Sequence, residues 1–112
     1  MVTTNDLLQK KSRHQASGLN DAEIARHLAA VDGWTLEGKK IVKTFSFKNY
    51  YETLAFVNAI AWIIHAEDHH PELTVTYSRC TVKFDTHSTG GLSENDFICA
   101  AKTDAIHRQL HS

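Results

Sequence analysis

One apolar stripe near the middle of the chain restricts the fold more than any other feature. It keeps the i, i+4, i+7, i+11, i+14 spacing of a single buried helix face: Tyr50, Leu54, Val57, Ala61 and Ile64. The stripe begins after a capping pattern at Asn49 and stops before Pro71, the chain's only proline. Because a proline disfavours helical backbone in the residue before it, we predict a long helix from about Asn49 to His70.

Runs of alternating apolar and polar residues flank this helix on both sides. Residues 34–37 and 41–47 surround a Gly-Lys-Lys turn, and residues 73–77 and 80–84 surround a short Ser-Arg turn. Alternation with a period of two indicates strands with one buried face, and a short turn between two such strands indicates a hairpin. We therefore predict one hairpin before the long helix and another after it.

Capping patterns mark two further helices. Asn20 and Glu23 have the spacing of a capping box and predict a helix over residues 21–31. Ser93 and Asp96 have the same spacing and predict a helix that runs to about Gln109. The element order is then αββαββα. Two hairpins separated by a helix favour an α+β fold, with a four-stranded antiparallel sheet and three helices packed on one face.

The length and composition indicate one domain. A chain of 112 residues with 42% hydrophobic residues can bury a single core. Residues 1–18 show no periodicity, so we expect a flexible N-terminal tail, with the domain formed by residues 19–112. The longest apolar run, residues 59–64, is far shorter than the roughly 20 residues of a membrane span, and the polar start does not resemble a signal peptide. We expect a cytoplasmic protein with no membrane partner.

Charge and cysteine usage argue against two classes of function. The formal net charge is −1 and the lysines are scattered, so we expect no direct contact with nucleic acid. Cys80 and Cys99 form no CxxC pair, which argues against a zinc ribbon and against a disulfide framework. We expect both cysteines to be reduced core residues.

Histidine is the unusual part of the composition, because imidazole is the side chain most often used for proton transfer near neutral pH. Three of the eight histidines, His65, His69 and His70, lie within six positions. His87 follows the fourth predicted strand beside a Gly-Gly turn, in the kind of loop that commonly holds reactive groups. The other four are expected to be solvated: His14, His27, His107 and His111.

The clustered histidines allow three interpretations. Histidines at a helix C-terminus often bind its unpaired carbonyls. His65 and His69 stand four positions apart and could hold a metal ion together with His87, but Glu67 does not stand next to His65 as the helical zinc-protease motif requires. In the third interpretation, one imidazole accepts a proton and another donates one. The residues alone argue against a metal and leave both helix capping and metal-free acid–base chemistry open.

The wider pattern around these histidines resembles the pterin-4a-carbinolamine dehydratase family. The run His65-x-x-x-His69-His70-Pro71 is followed by Tyr77, by Thr86-His87-Ser88-Thr89-Gly90-Gly91-Leu92-Ser93 and by Asp96. Five residues separate Pro71 from Tyr77, nine separate Tyr77 from His87 and eight separate His87 from Asp96, as in the family. The similarity covers about residues 20–108.

The resemblance implies an enzyme that needs no cofactor and eliminates water from 4a-hydroxytetrahydrobiopterin, giving quinonoid dihydrobiopterin. Such an enzyme recycles tetrahydrobiopterin for an aromatic amino-acid hydroxylase, as in phenylalanine hydroxylation. The resemblance also implies the αββαββα fold and assembly into a homodimer or a homotetramer.

The family positions that line the pterin pocket correspond to seven residues of this chain: Asp68, His69, His70, Asp85, Thr86, His87 and Ser88. The resemblance implies that the three histidines among them are catalytic. We predict that His69 and His87 form the acid–base pair and that His70 donates a hydrogen bond to the substrate or an intermediate.

Two positions and one alternative function qualify these implications. The position of His65 is often acidic in the family, so this chain lacks a carboxylate there that would orient His69. Asp96 matches the family pattern and also completes the capping pattern of the last helix, and we expect capping to be its role. The same fold also serves protein-interaction roles, as a transcriptional coactivator or an assembly factor, and this alternative stays open.

Overall fold

The computed structural model describes residues 1–111, which contain four α-helices and four β-strands. The helices are α1 (Thr4–Gln9), α2 (Asp21–Leu28), α3 (Tyr50–Glu67) and α4 (Glu94–Leu110). The strands are β1 (Thr35–Glu37), β2 (Lys40–Ser46), β3 (Glu72–Val75) and β4 (Arg79–Phe84). A single 3₁₀ turn, His87–Thr89, lies between β4 and α4.

The strands form one antiparallel sheet in the order β1-β2-β4-β3. Both predicted hairpins are present, and the pairing of β2 with β4 joins them, from Ile41 opposite Phe84 to Ser46 opposite Arg79. Cys80, Val82 and Phe84 alternate on the buried face of β4, as a period of two requires. The α+β fold class predicted from the sequence is confirmed.

Helix α1 differs from the predicted flexible tail at residues 1–18. Thr3 and Asp6 form a capping box at its start, and Leu7 is fully buried in the main core. The Thr4 hydroxyl donates a hydrogen bond to the Ala30 carbonyl at 2.5 Å, which ties α1 to the end of α2. A six-residue helix with one buried side chain is too short to show periodicity, so the sequence pattern did not reveal it.

The buried face of α3 coincides only in part with the predicted stripe, of which Val57 and Ile64 pack against the core. Thr53, Phe56 and Ile60 face the core, whereas Tyr50 is 41% exposed and Leu54 is 36% exposed. The Phe56 ring lies 4.7 Å from the Phe45 ring of β2, measured between centroids. Apolar residues lie on nearly every side of α3, so spacing alone did not identify the side that meets the sheet.

Two histidines that we expected to be solvated are in contact with the core. His27 is only 6% exposed, with Nδ1 lying 2.8 Å from the Glu23 carbonyl and Nε2 lying 3.1 Å from Glu94. The ring of His107 is 4.9 Å from that of Phe45, and burial lowers the pKa of this imidazole. A helix surface predicted from the sequence alone becomes an interior surface where another element covers it.

Cys80 and Cys99 are buried and unpaired. Burial raises the pKa of the Cys99 thiol to about 12, so this sulfur is inert at neutral pH. Among residues 1–111, no helix is long and apolar enough to cross a membrane.

Candidate active site

The end of α3 directs the chain into the candidate site. The Asp68 N–H donates to the His65 carbonyl and the His69 N–H donates to the Ile64 carbonyl, each at 3.3 Å. Asp68 has left-handed backbone, with φ 50° and ψ 45°, and within residues 1–111 it is the only non-glycine residue with positive φ. These two bonds define a Schellman ending, in which glycine is usual and aspartate is tolerated.

This ending corrects the predicted length of the helix. The last helical residue is Glu67 rather than His70. The left-handed backbone of Asp68 ends the helix three positions before Pro71, so the restriction that a proline places on the preceding residue is not what ends it. Asp68 and His69 therefore lie beyond the end of the helix that carries His65. The turn instead carries His69 and His70 away from the helix axis and toward the end of β4.

All seven predicted site residues line one cavity of about 220 Å³: Asp68, His69, His70, Asp85, Thr86, His87 and Ser88. The first three follow α3 and the other four follow β4, so two chain segments far apart in sequence form the walls. The His69 ring also lies parallel to the Phe84 ring, with 6.0 Å between centroids. The structure thus brings the predicted residues together.

A buried carboxylate holds the His69 ring. Nε2 of His69 lies 2.5 Å from Oδ1 of Asp96, which is fully buried. The other carboxylate oxygen, Oδ2, accepts hydrogen bonds from the Thr86 hydroxyl at 2.7 Å and from the Ser93 N–H at 2.9 Å. Since a carboxylate can only accept, Nε2 of His69 carries the hydrogen and Nδ1 is the nitrogen left for a ligand.

His70 and His87 line the same cavity as His69. His87 begins the 3₁₀ turn, which Gly90 closes with left-handed backbone at φ 70° and a 3.0 Å bond from its N–H to the His87 carbonyl. Both histidines are exposed, and among residues 1–111 no ring nitrogen of either one has a hydrogen-bond partner. Both rings can therefore meet a ligand without first breaking a bond to the protein.

His65 does not join this cavity. It lines a neighbouring cavity of about 310 Å³ together with Ala61 and Ile64, and the two cavities share Asp68, His69 and His70. Its ring lies 6.2 Å from that of Trp62. Among residues 1–111, no group of three or more histidine, cysteine, aspartate or glutamate side chains is arranged to hold a metal ion.

A third cavity, of about 330 Å³, adjoins the first, and residues 12–15 of the N-terminal segment form one of its walls. Glu67 anchors this wall: its Oε1 accepts from the Ser12 N–H at 2.7 Å and its Oε2 accepts from Lys102 at 2.8 Å. Burial acts to raise the pKa of Glu67, but the bonds from Lys102 and Ser12 outweigh it and hold that pKa below its usual value.

Two features of this site were missed by sequence reasoning. Asp96 was assigned to helix capping, and the structure shows that one carboxylate both caps α4 and binds His69. The residues of the N-terminal wall gave no periodic signal. The match of Asp96 to the family spacing was the signal that could have identified its second contact.

The chain is similar to known proteins over most of its length. The family model described as "Pterin 4 alpha carbinolamine dehydratase" matches residues 17–106. A protein of Nitrosomonas europaea is 63% identical over 112 residues, covering 96% of this chain and 99% of its own. A protein of Bdellovibrio bacteriovorus is 58% identical over 110 residues, covering 95% and 92%. Both carry the name pterin-4-alpha-carbinolamine dehydratase provisionally.

Two solved structures have the same fold. A transcriptional coactivator/pterin dehydratase from Brucella melitensis aligns with a TM-score of 0.77 and 35% identity, over 80% of this chain and 98% of its own. A pterin dehydratase-like protein described as a RuBisCO assembly factor in the alpha-carboxysome aligns with a TM-score of 0.58 and 27% identity, over 66% and 88%. The chain belongs to the pterin 4 alpha carbinolamine dehydratase family.

Proposed function

We propose that this chain is a 4a-hydroxytetrahydrobiopterin dehydratase, which eliminates water to give quinonoid dihydrobiopterin. Its role is then the recycling of tetrahydrobiopterin for an aromatic amino-acid hydroxylase, as in phenylalanine hydroxylation. Membership of the family supports the reaction class, and the cavity with three histidines supports an acid–base mechanism.

The elimination needs two proton transfers. The bond between C4a and the hydroxyl oxygen breaks, and the oxygen leaves as water after it receives a proton from an acid. The N5–H bond gives its proton to a base, and the nitrogen electron pair forms the new double bond between N5 and C4a. Each positioned acid or base contributes roughly 10²- to 10⁴-fold in rate.

His69 and His87 suit these two transfers because they approach one cavity from different chain segments. Asp96 fixes the ring of His69, so Nδ1 meets the substrate in a defined orientation. His87 is held only through its backbone, so its ring can change hydrogen-bond partner during the reaction. We assign these two as the pair without dividing acid from base between them.

The remaining cavity residues would bind the substrate. His70 follows His69 directly and would donate a hydrogen bond to the pterin or to the departing oxygen. Asp68, Asp85 and Ser88 offer oxygen atoms to the N–H groups of the pterin ring, which carries several such donors. Asp85 also lies 3.6 Å from the ammonium group of Lys40, which keeps a positive charge beside it.

The observation that carries the proposal is the 2.5 Å contact between His69 and the buried carboxylate of Asp96, in a cavity that His87 also lines. The test is the rate of quinonoid dihydropterin formation with wild-type protein, His69→Ala and His87→Ala. We expect a wild-type rate well above the spontaneous rate and a loss of about 10²-fold or more in each variant. A wild-type rate equal to the spontaneous rate would refute the proposal.

We also propose that the chain acts in the cytoplasm as a homo-oligomer. Large apolar side chains are exposed on α3 and beside it, with Tyr51 at 81%, Trp62 at 69% and Tyr77 at 66%. Exposed apolar surface formed by large side chains commonly marks a protein interface. Trp62→Glu should lower the mass measured by sedimentation, whereas Leu36→Glu, at an exposed apolar residue of β1, should leave it unchanged.

The alternative function is a protein-interaction role. It is supported by the coactivator and assembly-factor descriptions of the two similar structures and by the same exposed surface of α3. This role predicts that partner binding survives the combined loss of His69 and His87. Dehydratase activity without any specific partner, in a pull-down with wild-type protein as bait, would argue against it.

A further inference from the structure

The cavity behind the N-terminal segment adjoins the proposed catalytic cavity and nothing in the proposed elimination uses it. The two cavities share Asp68, His69, Thr86 and Ser88 as common walls. The catalytic cavity alone, at about 220 Å³, is smaller than the roughly 300–1,000 Å³ typical of small-molecule sites. A ligand with its ring beside His69 would therefore extend beyond that cavity.

Residues 12–15, which form the outer wall of this cavity of about 330 Å³, are held in a defined conformation. The side-chain amide of Asn95 donates to the Arg13 carbonyl at 2.6 Å, and its oxygen accepts from the Arg13 N–H at 3.1 Å. The Gln15 side chain donates to the same oxygen at 3.2 Å. Together with the bond from Ser12 to Glu67, these contacts fix residues 12–15 against α4 and the end of α3.

The chemistry of the walls favours polar, uncharged groups. Both oxygens of Glu67 are already bonded, to Ser12 and Lys102, so its charge is neutralised locally. Arg13 and Asp68 then contribute one charge of each sign, and the other side chains include hydroxyls and amides. Within residues 1–111 the guanidinium of Arg13 has no hydrogen-bond or ion-pair partner, so its donors are available to a ligand.

The cavity lined by His65 has a mixed character. The aliphatic side chains of Ala61 and Ile64 form part of its lining, next to four polar residues that include His65. Every residue that lines the cavity at the N-terminal wall, in contrast, has a polar side chain. The cavity at the N-terminal wall is therefore the better match for a hydroxylated substituent.

We propose that the cavity formed by residues 12–15, Glu67 and Asn95 is a subsite for a hydroxylated side chain on the pterin ring. The family model matches residues 17–106, so residues 12–15 lie outside the matched segment, whereas Glu67 and Asn95 lie inside it. This inference rests on the proposed pterin substrate and adds to it the part of the molecule that determines which pterin is preferred.

The test compares binding of pterins that share a ring and differ in their side chain. Calorimetry with wild-type protein would use L-biopterin, which has two side-chain hydroxyls, 6-methylpterin, which has none, and pterin-6-carboxylate, which is anionic. We expect L-biopterin to bind about tenfold more tightly than 6-methylpterin, the equivalent of one to two hydrogen bonds. Equal affinities for these two, or tightest binding of the carboxylate, would overturn the subsite.

Variants of the wall complete the test. Asn95→Asp keeps the shape of the side chain but turns the donor to the Arg13 carbonyl into an acceptor, which releases the wall. We expect the preference for L-biopterin to fall to about threefold or less. Asn5→Asp makes the same change at the same second position of a helix, on the exposed surface of α1, and should keep the wild-type preference.

A second variant separates the side chain of Arg13 from the conformation of the wall. Arg13→Ala is a surface change that leaves the backbone bonds to Asn95 in place, and it should weaken L-biopterin about threefold with little effect on 6-methylpterin. A wild-type preference that survives both Asn95→Asp and Arg13→Ala would contradict the proposal.

Failure of the subsite and failure of the proposed function give different results. Preferential binding of L-biopterin without faster dehydration would refute the enzyme activity and keep the subsite. Faster dehydration with equal binding of both pterins would refute the subsite and keep the activity.

Discussion

Asp96 and His69 meet at 2.5 Å across the site, although one residue begins α4 and the other follows the end of α3. The same carboxylate accepts the Ser93 N–H and so also caps α4. The position of the imidazole is therefore tied to the start of a helix rather than to a mobile loop. Helix capping and orientation of the histidine depend on one side chain.

The first prediction concerns the hydrogen on the His69 ring. In Asp96→Asn, the amide oxygen can still accept from Ser93 and Thr86, but the amide nitrogen then donates to Nε2 of His69. The ring must take the other tautomer, with its hydrogen on Nδ1 facing the substrate. We expect kcat to fall about 10²-fold or more while the protein stays folded, measured by dehydratase assay and circular dichroism.

Asp104→Asn provides the matched control. Asp104 is also buried on α4, but it accepts from the Trp34 indole N–H at 3.0 Å and from Lys43 at 2.9 Å, away from the cavity. This variant should lose stability and keep its kcat. If both variants lost activity in proportion to their stability, the contact between Asp96 and His69 would have only a structural role.

The second prediction tests the left-handed end of α3. An alanine in this conformation costs about 1 kcal/mol or more, whereas glycine adopts it freely. Asp68→Ala should therefore unfold at lower denaturant concentration than Asp68→Gly, by about 1 kcal/mol in the free energy of unfolding. Equal stability of the two variants would show that Asp68 does not hold left-handed backbone in solution.

The third prediction is a pH dependence of stability at Glu67. Its pKa is lower in the folded protein than its usual value of 4.5, so protonation favours unfolding. The stabilisation is complete above pH 4.5 and is lost as the pH falls through the folded pKa. Glu67→Gln should lose about 1–3 kcal/mol at pH 7, and the difference from wild type should shrink below pH 4.5. An unchanged difference at pH 3 would contradict this assignment.

The fourth prediction tests whether α1 is part of the folded core. Leu7 is fully buried, so Leu7→Ala should reduce the free energy of unfolding by about 2–4 kcal/mol in a denaturant titration. Leu36 is 50% exposed, and Leu36→Ala should cost less than about 0.5 kcal/mol. Similar small losses in both variants would favour the flexible tail that the aperiodic sequence suggested.

Local patterns predicted most of the fold, because each element follows from residues close together in sequence. The capping pairs at Asn20 and Ser93 start helices in the structure, and alternation located all four strands. The prediction of the buried side of α3 was only partly right, because apolar residues lie on several sides of this helix and packing against the sheet determines which of them are covered. Thr3 and Asp6 have the capping spacing that marks the start of α1, but this helix is too short to show periodicity and packs through Leu7 and Thr4 against distant residues.

The residues of the candidate site were easier to predict than their contacts. The seven cavity residues were implied by the resemblance to the family, and they share one cavity. Local patterns did not predict the partner of His69, because residues 69 and 96 meet only when α3 and α4 are packed. The polar wall at residues 12–15 depends in the same way on Asn95 and Glu67.

The central claim is that His69 and His87 act together in one elimination. The most direct measurement is the dehydration rate of His69→Gln, His87→Gln and the double variant against wild type and the spontaneous reaction. Residues that act as a unit give non-additive losses, so the double variant should be about as slow as the slower single variant. Losses that multiply in the double variant, or single variants as fast as wild type, would contradict the claim.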